Sequence, residues 1–339
     1  MKMKRVVTFL LGVLMLLACL PGCSGNTGQS AAGPNADPAA PDAGKPALNF
    51  PVESVNCIVP YSAGGGTDLM VRAVAAEIDL GRQTMVVTNI EGANALTGSY
   101  ECFNADPDGY TLVSVAPEAW IAQYMSGALQ DELYAELTPL CVVAEDANVL
   151  AVASASSWQT FDDFVAYAKE AGTKCTVAST SKGGSNEFFA FGLADVAGYE
   201  FTYVPYDGGS KSRTAVLGGD NDAVICQVSE IKALVDSGDM RVLGVSSDER
   251  VSFFDAPTFK EQGYDIEFGL HRSIWTTGGV DEAVVSYLSD ALQAACESPE
   301  CSETLLGLGY TPAFSTSAEL RDIIPAIVND LTKWAGLVK

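Results

Sequence analysis

From residue 50 onward, short apolar runs alternate with amphipathic stretches of helical spacing, and this alternation most restricts what the chain can fold into. The runs at 55–60 (VNCIVP), 84–89 (TMVVTN) and 111–116 (TLVSVA) read as strands, as do 140–144, 149–154, 174–178, 200–204, 222–226 and 240–245. Helical spacing covers 67–79, 96–103, 161–170, 185–196, 210–217 and 229–236, then 281–297, 301–307 and 317–336 in the tail. Strands that alternate with helices imply mostly parallel sheets flanked by helices, an α/β class. A chain of 339 residues has room for two such lobes at about 100–200 residues each. Ligands of open α/β sheets sit beyond the C-terminal strand ends, so the βα loops should carry the chemistry.

Composition removes several functions. A formal net charge of −24 is unsuited to nucleic acid or anionic membrane surfaces. The single histidine, His271, leaves too few imidazoles for a two-histidine zinc site and stands apart from any serine that would need it as a base. No C-x-x-C spacing occurs among the nine cysteines. Cys57, Cys141, Cys175 and Cys226 lie in apolar strand-like runs and read as buried hydrophobes, whereas Cys296 and Cys301 flank a Ser-Pro turn and could form a disulfide in an exported protein, a pairing the sequence leaves open. No metal or other cofactor is expected.

Residues 1–22 read as an export signal, with Lys2, Lys4 and Arg5 before an apolar run too short to span a bilayer. The run ends at Leu20-Pro21-Gly22-Cys23, which resembles a bacterial lipoprotein box with Cys23 as the lipidated residue; Cys19 is a competing site, and a plain secretory peptide is the alternative. Residues 23–49, rich in Pro, Ala and Gly, form a flexible tether with a reach of about 25–30 Å.

Three βα loops share one device. Tyr61-Ser62-Ala63-Gly64-Gly65-Gly66-Thr67-Asp68 has three glycines at a helix start, without the Walker lysine or the G-x-G-x-x-G spacing of a dinucleotide site. Glycines let successive N–H groups turn to one point, and a helix start adds about half a positive charge, so the loop suits a carboxylate or phosphate. Thr67 is the expected N-cap, and a β-branched residue at Gly65 is expected to spoil the aim of the N–H groups. Thr180-Ser181-Lys182-Gly183-Gly184-Ser185-Asn186 and Tyr206-Asp207-Gly208-Gly209 repeat the device in the second half. Three such loops point to a shared anion site.

Four ordered segments carry a family resemblance over about residues 52–336. They are IVPYSAGGGTDLMVRAVA, ADPDGYTLV, YVPYDGGSKSRTAVLGGDNDA and LGVSSDERVSFFDAPTFKEQGYD. Together they resemble the extracytoplasmic solute receptors of tripartite tricarboxylate transporters, the TctC/Bug-type binding proteins. The resemblance implies a two-lobed periplasmic-binding-protein fold of the second type. Lobe 1 would comprise 50–150 and 273–339 and lobe 2 would comprise 151–272, with crossings near 145–155 and 245–272. It also implies a small carboxylate held by loops 61–68 and 180–186, with residues 206–209 as a wall. Asn94 and Thr97 match the family's second loop, with fewer glycines here, and Asn186 stands where the family often has a histidine. Arg272 matches an arginine near the second crossing, as a counter-charge or a hinge ion pair. Lys182 is the other cation in these loops, in a position where lysine is commonly solvated.

Three functions follow from these features. The first is a lipid-anchored receptor that binds a small carboxylate between the lobes and passes it to the permease subunits of such a transporter. The second is a lipoprotein that reports the ligand to a membrane sensor kinase. The third is an enzyme using Ser62, Ser181 or Ser185 with Asp68 or Asp207; without an activating histidine these donors should bind rather than react, so no enzymatic activity is expected.

Overall fold

The computed structural model describes residues 48–338. The signal, Cys19, Cys23 and most of the tether lie outside the described residues. The elements are β1 (Val55–Val59), α1 (Gly66–Glu77), β2 (Met85–Asn89), α2 (Leu96–Phe103), β3 (Thr111–Ser114), α3 (Pro117–Met125) and α4 (Leu133–Glu136). The long strand β4 (Thr138–Ala153) follows, then α5 (Phe161–Ala171), β5 (Thr176–Thr180), α6 (Ser185–Ala197), β6 (Thr202–Tyr206), α7 (Gly209–Leu217), β7 (Ala223–Gln227), α8 (Val228–Asp236) and β8 (Met240–Val245). The chain returns through β9 (Gly269–Thr276), α9 (Glu282–Cys296), α10 (Pro299–Leu308), β10 (Thr311–Thr316) and α11 (Ser317–Ala335).

The strand order is β2-β1-β3-β9-β4-β7-β5-β6, with β10 and β8 also on β4. Pairs β1–β2, β1–β3, β5–β6 and β5–β7 are parallel, and every pair involving β4 or β9 is antiparallel. β4 is the axis of the fold. Its first part pairs with β9 (Thr138↔Thr276 to Ala147↔Gly269) and β10, and from Asn148 and Val149 it pairs with β7 and β8. The result is a two-lobed α/β structure, each lobe a parallel core closed by antiparallel crossing strands.

Continuity of β4 corrects the expectation of two strands at 140–144 and 149–154. The polar break Glu145-Asp146-Ala147-Asn148 reads as a loop, yet Asp146 and Asn148 are buried and hydrogen-bonded, so the strand runs on between the lobes. Helices α3 and α4 and strands β9 and β10 were not foreseen. For α3 the available signal was Pro117 at the first helical position followed by Glu118. The seven cysteines among the described residues are free and buried, so the Cys296–Cys301 disulfide is not formed. Both thiols instead join the apolar core of lobe 1 with Val74, Leu292 and Leu305.

The connection from β8 to β9 is fixed by the motif around Arg250. Arg250 pairs with Glu261 (2.8 Å) and Asp255 (2.9 Å), and Glu261 accepts from the Thr258 N–H (2.9 Å). Helix α11 touches both lobes: Leu320 lies in one core cluster with Trp120 and Trp275, whereas Ile327, Leu331 and Trp334 lie in another with Phe189 and Phe268.

Candidate functional site

Helix α5 is capped by the Thr160 side chain, α9 by Asp281, α10 by Ser298 and α11 by Thr316. Helices α1, α2, α3, α4, α6, α7 and α8 have no side-chain cap. Three of these seven, α1, α6 and α7, follow the glycine loops. Their first-turn N–H groups are left for water or an anion.

In the first loop the three glycines have three separate reasons. Gly64 has φ +75°, a left-handed conformation that favours glycine. Gly65, with φ −74°, is the N-cap in place of the expected Thr67, and a methyl group there would stand 3.0 Å from the Ser62 carbonyl. A methyl group on Gly66 would stand 2.6 Å from the Tyr310 hydroxyl. Gly64 supplies the left-handed turn and Gly65 the space beside the Ser62 carbonyl, so both positions constrain the loop. Asp68 is 1% exposed and turned back into the loop, accepting from the Gly64 N–H (2.8 Å), Arg72 (2.9 Å) and Asn89 (2.9 Å). Burial pushes its pKa up, but Arg72, the Gly64 N–H and Asn89 outweigh that and hold it below the ordinary carboxylate value. Asn89 also donates to the Tyr61 carbonyl (3.0 Å), so Asp68 positions the loop rather than facing a solute.

The second loop repeats this plan. Gly183 has φ +75° and donates to Glu187, four residues on, at 2.5 Å. Gly184 is the N-cap of α6, in extended conformation. Here burial dominates: it raises the Glu187 pKa against the Gly183 N–H and the charge of Lys182. Lobe 1 reaches this loop twice. Ser181 donates to the Asn94 side chain (3.0 Å), and Ser126 at the end of α3 donates to the Gly183 carbonyl (3.2 Å). Ser185 is buried at the start of α6, and Thr180 receives a bond from Asn186 (3.3 Å).

Asn94 belongs to a strained turn. Ala93, Asn94 and Ala95 have φ of +47°, +55° and +72°, three successive non-glycine residues in the left-handed region. Thr97 is exposed in the first turn of α2. The other nominated residues are placed differently. Asp207 is turned to solvent and pairs with Lys211 (3.2 Å). Tyr206 donates to Asn221 (2.6 Å), while Gly208 caps α7 with φ +102° and Gly209 lies against Arg213 and Glu230. Lys182 is exposed and lines a pocket of about 560 Å³ beside Met125, Ser126 and Val338. Asn186 points inward, joining Asn148 (3.0 Å) and Gln227 (2.6 Å) in a buried amide network at the point where β4 changes partners.

Arg272 is 9% exposed and bonds Asp146 through Nε (3.2 Å) and Nη2 (2.6 Å), which makes it an ion pair between the two crossing strands. Asp146 also accepts from the Ser229 N–H (3.1 Å) and hydroxyl (2.7 Å) at the start of α8. This ties lobe 2 to the crossing. Next to it His271 bonds Glu118 at 2.5 Å. Burial lowers the imidazole pKa, but the carboxylate outweighs that and raises it. Sequence reasoning missed Asp146, Ser229, Tyr310 and the Asn148–Gln227 pair, because each lies far along the chain from its partners. No cluster of three or more metal-ligating side chains occurs among the described residues.

Comparison with known proteins agrees with this architecture. Residues 70–339 match the family described as tripartite tricarboxylate transporter family receptor. The UPF0065 protein in the gbd 5′ region of Cupriavidus necator is 29% identical over 276 residues, covering 80% of this chain and 83% of that protein. The structure of the periplasmic binding protein BugD superposes with TM-score 0.72 at 25% identity, covering 86% of this chain and all of BugD (100%). An R. palustris protein solved with adipate gives TM-score 0.76 at 23% identity, covering 85% and 99% of the two chains.

Proposed function

The chain belongs to the tripartite tricarboxylate transporter receptor family, and on that premise we propose that it is a lipid-anchored extracytoplasmic receptor that binds a small carboxylate between its lobes and delivers it to the transporter's permease subunits. The family is a class of periplasmic solute-binding receptors rather than of enzymes. No helix among the described residues is long and apolar enough to cross a membrane. The observation that carries the reading is the pair of uncapped helix starts, α1 from lobe 1 and α6 from lobe 2, each on a glycine loop, with Ser181 of the second loop bonded to Asn94 in the turn before α2.

A carboxylate seated there receives N–H groups from both helices. Charge-assisted hydrogen bonds are worth about 1.5–3 kcal/mol each; four to six, less the cost of association, give about 8 kcal/mol, or micromolar affinity. Backbone dipoles do this without free cations, which suits so acidic a chain. Residues 61–67, 180–185, Asn94 and Thr97 are the proposed contacts. Tyr206, Gly208 and Gly209 form the outer wall. Asp68, Glu187 and Arg272 support the site from behind. The lobes are taken as 50–150 with 273–339 against 151–272, with 148–150 and 269–272 as the stretches shared at the crossings. The change of β4 partner between Ala147 and Asn148 supports this division.

A thermal-shift screen with succinate, malate, glutarate and adipate tests the reading. A ligand at a hundred times its Kd adds about 2.7 kcal/mol of stability. A shift with at least one of them is expected, and no shift with any would refute it. Replacing Cys23 by alanine is expected to release the protein from the membrane fraction of its host; retention would refute anchoring at that residue.

A further inference from the structure

The Tyr310 hydroxyl plays no part in the two-loop reading. Tyr310 stands between α10 and β10, fully buried, and its hydroxyl has no hydrogen-bond partner among the described residues. Its location is specific. A methyl group on Gly66 would be 2.6 Å from this oxygen and 4.0 Å from the Ser229 hydroxyl. The phenol therefore ends against the first turn of α1, whose N–H groups have no side-chain cap, on the side that faces α8 of the other lobe.

Its polar neighbours turn to Asp146, and none of them stands in bonding geometry to the phenol. The Arg272 guanidinium lies 5.7 Å from the ring centroid but bonds Asp146, and the Ser229 hydroxyl donates to the same carboxylate. Buried hydroxyls in folded proteins are nearly always paired, and leaving one unpaired is costly. Burial and the Asp146 and Glu230 charges push the phenol pKa up to about 12 against Arg272 and the neighbouring Ser229 hydroxyl, so it keeps its proton and remains a donor at neutral pH.

Resting on the carboxylate-receptor reading above, we infer that Tyr310 is a ligand-contacting residue whose O–H donates to the carboxylate oxygen held at the N-terminus of α1. Gly66 is then required at its position so that the phenol can reach the helix start. The site so formed combines main-chain donors with one side-chain donor supplied from the far end of the chain.

The test is Tyr310→Phe, which removes one oxygen and preserves the ring. Wild type and variant are compared by calorimetric titration with whichever of succinate, malate, glutarate or adipate shifts wild type most, and by thermal melting without ligand. The expected result is affinity weaker by about tenfold or more, as for a hydrogen bond to a charged group, with a ligand-free melting temperature unchanged or higher. Equal affinity in the two proteins overturns the inference alone. A ligand-free melting temperature lower by several degrees also overturns it, since the hydroxyl would then have a partner within the protein. If wild type binds none of the four acids, the carboxylate reading falls and this inference falls with it.

Discussion

The loops at 61–68 and 180–187 are built alike but held differently. Each has a glycine at φ +75°, an extended N-cap glycine next to it, and an acidic residue four positions on that accepts the first glycine's N–H. In the first, Asp68 is also bonded to Arg72 and Asn89, all within lobe 1. In the second, Glu187 is buried without a cationic bond partner, and the loop is tied to lobe 1 by Ser126 and Asn94. The first loop is thus bonded within its own lobe, whereas the second is bonded across to the other lobe.

The largest test of this contrast is steric. Gly66→Ala drives a methyl group into the Tyr310 hydroxyl, whereas Gly184→Ala meets nothing nearer than 3.8 Å. The first should cost about 2 kcal/mol of binding, roughly thirtyfold in Kd, and the second little, as read by calorimetric titration. Comparable losses in both would mean the loops are equally crowded.

The two acids should answer pH with opposite signs. Asp68 has a lowered folded pKa, so its stabilisation is present above the unfolded value and lost as pH falls through the folded one. Asp68→Asn should therefore lower stability at neutral pH by about 1.5 kcal/mol, a deficit that disappears in strong acid. Glu187 has a raised folded pKa, so its charged form is disfavoured by folding, and the penalty is relieved as pH falls through that value. Glu187→Gln should raise the melting temperature at neutral pH and lose that advantage in mild acid. A neutral-pH loss in both variants would show that Glu187 is held as firmly as Asp68.

Smaller effects separate closure from loop shape. Ser181→Ala removes the bond to Asn94 and should weaken binding about threefold to fivefold, while increasing the radius of gyration seen by X-ray scattering without ligand. Ala95→Gly relieves a left-handed alanine and should stabilise the protein by about 0.5–1 kcal/mol in urea unfolding. No gain would mean that the turn's conformation is compensated by its neighbours.

What could be read from the sequence was local. The apolar runs located most strands, and glycine, serine and threonine clusters located the loops, because both signals are confined to a few adjacent residues. What escaped depends on distant partners. Asp146 and Asn148 look like a loop until Arg272, Ser229, Asn186 and Gln227 are brought beside them. Asn186 stands in the second glycine loop yet faces the buried network, and Asp207 stands in a glycine turn yet faces solvent. Thr67 seemed the natural cap because hydroxyls commonly cap helices, but leaving the helix start open is what an anion site requires. Tyr310 carries no local signal at all.

Amide resonances of ¹⁵N-labelled protein, titrated with a bound dicarboxylate, test the central claim most directly. The account predicts that the N–H signals of Gly65, Gly66 and Thr67 and those of Gly184, Ser185 and Asn186 move together, with one shared Kd. Movement confined to one loop, or to neither while other regions respond, would contradict it.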